Sequence, residues 1–434
     1  MKQTATLALL ITILIGCTDK PDYIENPEEY VSTLVGTLSR HSYSTGNTYP
    51  ATSTPWGMNF WMGDGWAYRY DQNWIRGFKQ THQPSPWIND YGQFAIMPVR
   101  DAAAVDQDSR ASWFSHKSET ARPYYYQVYL ADHDINAELA PSDRAAAFRF
   151  TYPESETSGV IIDAYDQGSY IKVLPQQQAV VGYTTKNSGG VPDNFRNWFV
   201  VKFDKPFEDI RVYDGPSKHL KGKLEIEGDH ALAAVSFTTK KGEKVGVRVA
   251  SSFISLSQAF LNLEEVNGRT FVEVKTAAKE RWNEILGRIQ VGGGSEEQYR
   301  TFYSCLYRAT LFPRKFYEID IEGNPIHYSP YDGQVHGGYM YTDTGFWDTF
   351  RALFPLLNLV YPSVNAEIQQ GLANIARENK FLPEWSSPGH RGCMVGNNSA
   401  SVVADAILKG ITPEADWQTL YDCIVYGTEN VHPT

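Results

Sequence analysis

Cysteine is scarce in this sequence, and its scarcity excludes two kinds of structure. The 434 residues include 4 cysteines, at positions 17, 305, 393 and 423, and no pair has the CxxC spacing of a zinc site. Beyond Cys17, three scattered thiols do not form a disulfide framework. One disulfide between two of them stays open, while buried small hydrophobic side chains are the simpler interpretation.

Basic clusters, internal repeats and low-complexity tracts are also missing. The 39 Lys and Arg residues are outnumbered by 50 Asp and Glu residues, which gives a net charge of −11. Because phosphate neutralisation supplies most of the affinity for nucleic acid, we expect no nucleic-acid partner. The hydrophobic (42%) and charged (21%) fractions exclude a disordered chain or a coiled coil. The length allows about two or three domains.

No apolar run is long enough to span a bilayer, but a short one opens the chain. Lys2 and the run 5–15 have the form of a signal peptide over residues 1–16, and Leu-Ile-Gly before Cys17 resembles the bacterial lipobox. We expect acylation at Cys17 and membrane attachment through this lipid only. The expected location is the bacterial outer membrane or periplasm, or the cell surface, since the acidic stretch 19–22 resembles that of Bacteroidetes lipoproteins. An ordinary secretory signal with an incidental cysteine is the alternative.

The character of the sequence changes near residue 267. Residues 17–266 hold the lipid-anchored N-terminus and then short β-branched and aromatic runs bounded by turn residues, such as the alternating run 245–252. The other runs of this kind are 124–130, 147–152, 159–164, 180–183 and 231–238. Short strands without intervening helices predict a large antiparallel β-sandwich.

The remaining sequence predicts helices. Residues 267–292 form a helical linker, in which 271–286 has apolar residues near helical spacing and ends at Gly287. Residues 293–434 follow a glycine-rich stop, and Ser295 caps a helix that runs to about Leu311. The further predicted helices are 345–359, 364–378, 399–409 and 414–426. The fold class is therefore multi-domain, with β and α structure in separate regions.

Aromatic residues are abundant, and several aromatic-rich segments match one known family in order. They make up 14% of the chain, and rings that build cores can also pack on the C–H faces of sugars. The matching segments are 47–51, 55–58, 77–82, 89–92, 113–119, 124–139, 346–352, 355–356, 382–385 and 393–396. Together they resemble glycoside hydrolase family 92, the calcium-dependent exo-α-mannosidases, from about residue 30 to the last residue.

The resemblance implies a fold, a reaction and a cofactor. The implied fold is a large β-sandwich packed on an (α/α)6 barrel, with the active site at their junction. The implied reaction is hydrolysis of terminal non-reducing α-linked mannose with inversion, which needs two carboxyl groups about 6.5–9.5 Å apart. A Ca²⁺ ion near this sugar is implied as Lewis acid and template. The implied partners are mannose-containing oligosaccharides or glycoproteins, in N-glycan or yeast-mannan breakdown.

In the helical region, the resemblance makes Asp348 the first candidate for binding sugar hydroxyls. A carboxylate that accepts two hydroxyl hydrogen bonds is a usual means of orienting a pyranose. Trp347 beside it is a second substrate-binding candidate, with a core role as the alternative. Arg351, one helical turn on, is placed to pair with Asp348 or to serve structure alone.

In the sandwich region, three further candidates surround a proline-rich loop. The resemblance brings the loop of Trp87 to the active site, where its ring either stacks on the neighbouring sugar or anchors the loop. His82 and Asp90 flank this loop. They are candidates for lining the pocket, and a hydrogen-bonded structural role is the alternative for both.

The sequence departs from the family where a proton donor is expected. Family α-1,2-mannosidases place the catalytic glutamate three residues before a Cys-Met pair, a position that is His390 here. Histidine has a suitable unperturbed pKa near neutrality, and Glu384 is the alternative acid. Arg391 would suit a phosphate or an acidic sugar as the aglycone. A changed linkage specificity, a leaving group that needs little protonation and a lectin-like relic all stay open.

The length of the helical region is a second departure. The twelve helices of an (α/α)6 barrel need well over about 200 residues, and only about 140 follow residue 292. We therefore expect an incomplete barrel in a truncated chain. The resemblance implies that the catalytic base and most of the Ca²⁺ ligands lie in the second half of the barrel, so we expect them beyond residue 434 and expect no metal site before it. Such a chain is expected to be inactive alone and to expose an apolar face. A non-catalytic surface glycan-binding lipoprotein is the alternative function, and the sequence does not indicate an oligomeric state.

Overall fold

The structure is a computed structural model that describes residues 23–38, 48–64, 68–85 and 87–434, except for the side chain of Asp64. The predicted signal peptide and Cys17 lie outside the described residues. Within these ranges, every helix is too short or too polar to pass through a lipid bilayer.

The N-terminal half consists of antiparallel strands. Their bounds are β1 Phe60–Asp64, β2 Trp74–Ile75, β3 Gly77–Thr81, β4 Phe94–Val99, β5 Ser112–Trp113, β6 Thr120–Arg122, β7 Tyr125–Leu130, β8 Ile135–Pro141, β9 Ala145–Tyr152, β10 Ser155–Asp163, β11 Ser169–Leu174, β12 Ala179–Thr184, β13 Asn197–Phe203, β14 Asp209–Asp214, β15 Glu225–Gly228, β16 Ala231–Thr239 and β17 Glu243–Ser252. The larger sheets have the orders β1-β3-β4-β10-β16-β14 and β15-β11-β12-β13-β17-β9-β8-β7-β6, and β2 pairs with β5 in a small third sheet. This arrangement confirms the predicted large antiparallel β structure.

The two sheets pack face to face through apolar side chains, which alternate with more exposed residues on some strands and are continuous on others, such as β4. On β17, Val245, Val247 and Val249 are fully buried while the residues between them are partly exposed. Trp61 on β1 packs edge-to-face against Phe148 on β9 of the opposite sheet, with ring centroids 5.2 Å apart. Burial of apolar side chains, aliphatic and aromatic, is the dominant favourable contribution to the stability of such a sandwich.

Helices and short strands form the C-terminal part. The helices are α1 Leu256–Leu263, α2 Phe271–Leu286, α3 Glu296–Ala309, α4 Phe346–Thr349, α5 Leu353–Val360, α6 Pro362–Asn379, α7 Asn398–Leu408 and α8 Glu414–Glu429. The strands are β18 Arg314–Lys315, β19 Glu318–Ile319, β20 Pro325–Tyr328, β21 Val335–Gly337, β22 Tyr341–Thr342, β23 Thr344–Gly345 and β24 Trp385–Ser386. This helical region after a β domain also agrees with the prediction. Apolar side chains such as Leu359, Leu408 and Tyr421 are exposed on α5, α7 and α8.

Helix α2 joins the two regions. Thr270 and Glu273 form a capping box at its start, in which each side chain accepts a hydrogen bond from the other residue's backbone. Trp282 on its inner face is fully buried, and its indole N–H donates to the carbonyl oxygen of Ser53 at 2.7 Å. Helix α2 therefore follows the sandwich in the chain and is fixed to its N-terminal segment by the hydrogen bond from Trp282 to Ser53.

Three details of the sequence prediction were wrong. The predicted helix 345–359 is interrupted between α4 and α5, at residues 350–352. Helix α1 and the strands between residues 314 and 345 were not predicted. Cys305 and Cys393 are exposed, and only Cys423 is buried, so the interpretation as buried small side chains holds for one of the three; none of these three forms a disulfide.

Candidate functional site

Backbone pairing brings together the two most specific motifs of the helical region. Strand β23 pairs with β24, with Thr344 opposite Ser386 and Gly345 opposite Trp385. The amide N–H of Phe346 continues this contact by donating to the carbonyl oxygen of Glu384 at 3.0 Å. As a result, the segments 346–352 and 382–385, which are separated in the sequence, lie side by side.

Asp348 and Trp385 both pack over Gly345. A Cβ atom on Gly345 would lie 2.3 Å from the indole nitrogen of Trp385 and 2.7 Å from the Oδ2 atom of Asp348. The Asp348 side chain is exposed, so its carboxylate is open to a ligand. The site thus combines a carboxylate with an aromatic ring, which are the two groups that sugar recognition uses.

Trp347 and Arg351 lie together at the same surface. Trp347 is 41% exposed, so it is not a core residue. Arg351 donates to the carbonyl oxygen of Trp347 at 2.7 Å, and its guanidinium lies 4.8 Å from the centre of the Trp347 ring. It makes no ion pair with Asp348, both being described residues. Arg351 therefore supports Trp347 and not the carboxylate.

Glu384 is half-buried and faces a cavity of about 250 Å³. Its Oε2 atom accepts from the amide N–H of Asn398 at 3.1 Å, and its Oε1 atom accepts from the hydroxyl of Ser399 at 3.3 Å, at the start of α7. Burial raises the pKa of the Glu384 carboxyl above its usual range, more than these hydrogen bonds lower it. A carboxyl with a raised pKa beside a cavity has the property that a general acid needs.

His390 is a weaker candidate for the proton donor. Its Nε2 atom is 2.8 Å from the Oδ1 atom of Asn379, and its Nδ1 atom is buried with no hydrogen-bond partner among the described residues. Burial, together with the nearby His432, lowers the pKa of His390 to about 3. The imidazole is therefore neutral near pH 7, and a neutral imidazole is a poor acid.

Two of the sandwich candidates, His82 and Asp90, are buried and hydrogen-bonded within the fold. His82 is fully buried, with Nδ1 2.7 Å from the carbonyl oxygen of Tyr91 and Nε2 3.0 Å from the Oδ1 atom of Asn59. Burial lowers the pKa of His82 to about 3. Asp90 is also buried, and its two oxygens accept from the hydroxyl of Thr81 and the amide of His82, each at 2.8 Å.

Trp87 and Arg391 lie where the sandwich meets the helical region. Trp87 is 54% exposed. Arg391 borders the cavity of Glu384, and its Nη2 atom donates to the carbonyl oxygen of Ile88 at 3.1 Å. This contact brings the loop of Trp87 to the segment that carries His390. The structure thus connects the loop of Trp87, through Arg391, to the segment that follows Glu384 and Trp385.

Sequence reasoning did not find a buried ion pair at this junction. The Nε atom of Arg314 lies 2.6 Å from the Oδ2 atom of Asp343, and both side chains are fully buried. The hydroxyl of Tyr91, from the sandwich, donates to the same carboxylate at 2.9 Å. Asp343 directly precedes β23 and has a φ of +62°, so this network connects the sandwich to the strand before Asp348. The only sign of this ion pair in the sequence is that Asp343 lies close to the 346–352 motif.

The described residues do not form a binding site for the calcium ion that the resemblance implies. Among the described residues, no three His, Cys, Asp or Glu side chains are grouped so that they could hold a metal ion. Hard oxygen donors in groups of six or more are what Ca²⁺ requires. We therefore assign no step to calcium.

Comparison with known proteins identifies the family. The model of the glycosyl hydrolase family 92 N-terminal domain matches residues 30–252, and that of the family 92 catalytic domain matches residues 258–434. The chain belongs to glycoside hydrolase family 92. The first match ends with β17, the last strand of the sandwich, and the second begins within α1.

Solved structures of family 92 members share this fold. An inverting mannosidase from Bacteroides thetaiotaomicron is 46% identical, with a TM-score of 0.91 over 94% of this chain and 56% of its own. A family 92 α-mannosidase of the same organism, solved with mannoimidazole, is 28% identical, with a TM-score of 0.85 over 94% of this chain and 56% of its own.

A curated fungal relative gives a more distant comparison. A protein of Arthroderma benhamiae, described as an uncharacterised secreted glycosidase, is 23% identical over 92% of this chain and 52% of its own length. The chain therefore spans about half the length of these relatives. Because both family 92 domain models match, the comparisons give no support to the expectation that the chain is inactive alone.

Proposed function

We propose that this family 92 chain acts in the hydrolysis of terminal non-reducing α-linked mannose with inversion. Calcium dependence enters the proposal from the resemblance alone, because the described residues do not group a ligand set for the ion. The observation that carries the proposal is the packing of Asp348 and Trp385 over Gly345, next to the backbone of Glu384, whose carboxyl borders a cavity. The names of the two Bacteroides structures, an inverting mannosidase and an α-mannosidase with bound mannoimidazole, support it.

Each side chain has a role that follows from its environment. The exposed carboxylate of Asp348 accepts hydrogen bonds from two sugar hydroxyls, which fixes the ring in one orientation. The rings of Trp385 and Trp347 supply apolar surface for the C–H faces. Glu384 donates a proton to the leaving oxygen as its bond to the anomeric carbon breaks, because burial keeps this carboxyl protonated to higher pH than usual. A water molecule adds to the anomeric carbon from the opposite face and gives its proton to the second carboxylate that inversion requires. His390 stays the alternative donor from its sequence position.

Location and anchoring are part of the same proposal. A relative described as secreted supports an extracellular site of action. Acylation at Cys17, a place in the outer membrane or periplasm, and binding to mannose-containing oligosaccharides or glycoproteins remain predictions from the sequence. Labelling with a radioactive fatty acid, with Cys17→Ser as the control, tests the lipid anchor.

Release of mannose is the direct test. The chain is incubated with α-1,2-, α-1,3- and α-1,6-mannobiose and with a mannosyl phosphodiester, in Ca²⁺ and in chelator. Asp348→Asn is expected to lower kcat/KM by about 10- to 100-fold, since a hydrogen bond to a charged group contributes about 1.5–3 kcal/mol. Asp422→Asn, which changes an exposed carboxylate on α8, is the matched control.

The outcomes separate three accounts. Mannose release that depends on Asp348 supports the proposal and overturns the expectation of an inactive chain. Binding of mannoimidazole without release from any substrate supports the alternative, a glycan-binding protein. Absence of both release and binding contradicts the proposal.

A further inference from the structure

The small ribbon of β2 and β5 presents two tryptophan rings to solvent. Trp74 on β2 lies directly opposite Trp113 on β5 in the antiparallel register. The two side chains are 54% and 44% exposed, whereas the next residues, Ile75 and Ser112, are buried. Opposite residues of an antiparallel pair point to the same face with Cβ atoms about 4.5–5.5 Å apart. Both indole rings therefore lie on the solvent face of this ribbon.

The segment before β2 adds a third exposed ring, that of Tyr70. It stacks on the imidazole of His116, with ring centroids 4.0 Å apart and 10° between the planes. The Nε2 atom of His116 lies 2.6 Å from the carbonyl oxygen of Tyr70, and its Nδ1 atom lies 2.6 Å from the Oε2 atom of Glu119. Glu119 is buried and also accepts from the hydroxyl of Tyr126, on β7, at 2.6 Å. Tyr70 is thus fixed to the core of the sandwich.

The backbone of Trp113 is held on both sides. Its amide N–H donates to the Oδ2 atom of Asp132 at 2.7 Å, and its carbonyl oxygen accepts from the amide of Ala131 at 3.0 Å. The next amide, that of Phe114, donates to the carbonyl oxygen of Asn73 at 3.0 Å, which joins this strand to the residue before Trp74. Rings on a backbone that is fixed before binding lose little freedom when a ligand arrives.

Tyr70, Trp74 and Trp113 together are called the aromatic platform below. The charged side chains in its segments pair with one another, Arg69 with Asp71 at 2.7 Å and Arg76 with Asp108 at 2.9 Å. Its edge therefore has polar groups but no excess of positive charge, which an anionic polymer or an anionic membrane surface would need. A neutral glycan matches this surface, because its C–H faces pack on rings and its hydroxyls bond to either charge.

Strand β3 separates the aromatic platform from the candidate site. It begins at Gly77, two residues after β2 ends, and it ends at Thr81, next to His82 and the loop of Trp87. At about 3.3 Å per residue, a strand of this length extends for about 13 Å. The aromatic platform is therefore a surface of its own, at the end of β3 that lies away from this loop.

We propose that the aromatic platform is a second glycan-binding site, which holds a neutral chain of pyranose units without cleaving it. The inference goes beyond the proposed function and uses it only to choose mannan as the probe. A glycan chain held at one site is present at a higher effective concentration at another site of the same molecule. The aromatic platform would thus keep a polymeric substrate close to the protein between cleavage events.

Electrophoresis of the chain in native gels that contain linear α-1,6-mannan tests the inference, because binding to the polymer retards the protein. Saturating mannoimidazole in the gel competes for the candidate site, so that the remaining retardation reports on the aromatic platform. The variants are Trp74→Ala, Trp113→Ala and the double variant. Trp417→Ala is the matched control, since Trp417 is an exposed tryptophan on α8. Urea unfolding checks that each variant is folded.

We expect each single variant to raise the Kd for mannan about 10-fold, as is usual when an anchoring aromatic ring is removed, and Trp417→Ala to leave it unchanged. Trp74→Tyr, which keeps a ring at the surface, should retain most of the affinity. Hydrolysis of mannobiose should be the same in the wild type and in all platform variants.

Unchanged retardation in the double variant would overturn the inference. Stronger binding of the wild type to the polyanion alginate, or to phosphatidylcholine vesicles, with loss of that binding in the same variants, would overturn it too, since the surface would then serve another class of partner. If the wild type neither releases mannose nor binds mannoimidazole, the proposed function fails, while the retardation by mannan still decides whether the aromatic platform binds a glycan.

Discussion

Replacement of Gly345 by alanine disturbs the site at its most crowded point. The added Cβ atom would lie 2.3 Å from the indole nitrogen of Trp385 and 2.7 Å from the Oδ2 atom of Asp348. Since ordinary contacts begin near 3.4 Å, the indole must move by about 1 Å. Gly345 has a φ of −101°, which alanine adopts freely, so the cost is steric and not a backbone strain.

Two magnitudes follow from this displacement. A misplacement of about 1 Å in a positioned group lowers the rate by about 100-fold, and forced overpacking costs about 1–3 kcal/mol of unfolding free energy. Urea unfolding, with the midpoint and slope fitted separately, measures the change in unfolding free energy. The rate of mannose release, or the affinity for mannoimidazole, measures the effect on the site.

Gly337→Ala is the control for this experiment. No heavy atom lies within 4 Å of a Cβ at that position, so we expect stability within about 0.5 kcal/mol of the wild type and unchanged activity. If Gly345→Ala lowered stability as expected but left mannose release and ligand affinity intact, the assignment of Asp348 and Trp385 to the sugar site would be refuted.

Three further predictions concern protonation and buried charge. The pKa of His82, about 3, lies below its unfolded value of about 6.5, so its stabilising effect is complete above pH 6.5 and is lost as pH falls toward 3. The unfolding free energy should therefore fall by about 2 kcal/mol between pH 8 and pH 5 because of His82. We expect this fall to be absent from the His82→Gln variant and present in the control variant His219→Gln, which changes an exposed histidine. Asp163→Asn should lower unfolding free energy by about 3–5 kcal/mol in urea titrations, because the buried guanidinium of Arg110, 2.6 Å away, loses its counter-charge. Glu384→Gln should lower kcat by about 100-fold or more and remove the loss of activity at high pH, since the acid must be protonated; an unchanged pH–rate profile would argue against this donor.

Helices and strands whose bounds depend on residues within or next to them were predictable from the sequence. The predicted helix 271–286 agrees with α2, because the capping box of Thr270 and Glu273 and the stop at Gly287 all lie within or beside it. Pro355 within the predicted helix 345–359 indicates that a helix begins shortly before it. It lies in the first turn of α5, where the missing backbone N–H of proline costs little. The two-residue strands β18, β22, β23 and β24 are too short to show any periodicity.

The site was predictable only in part, for the same reason. Asp348, Trp347 and Glu384 belong to compact motifs, and the structure places them together. The burial of His82 depends on Asn59, 23 residues away, and the pairing of Arg314 with Asp343 depends on the fold of the whole junction. No local pattern records such long-range contacts. Similarly, the ties that Arg391 makes to Gly189 and Ile88 span more than two hundred residues of sequence.

A crystal structure of this chain with bound mannoimidazole tests the central claim most directly. The account predicts the ligand at the junction of sandwich and helices, with its hydroxyls within hydrogen-bond distance of the Asp348 carboxylate and its ring beside Trp385 or Trp347. Ligand density elsewhere, with Asp348 left in contact with solvent alone, would contradict it.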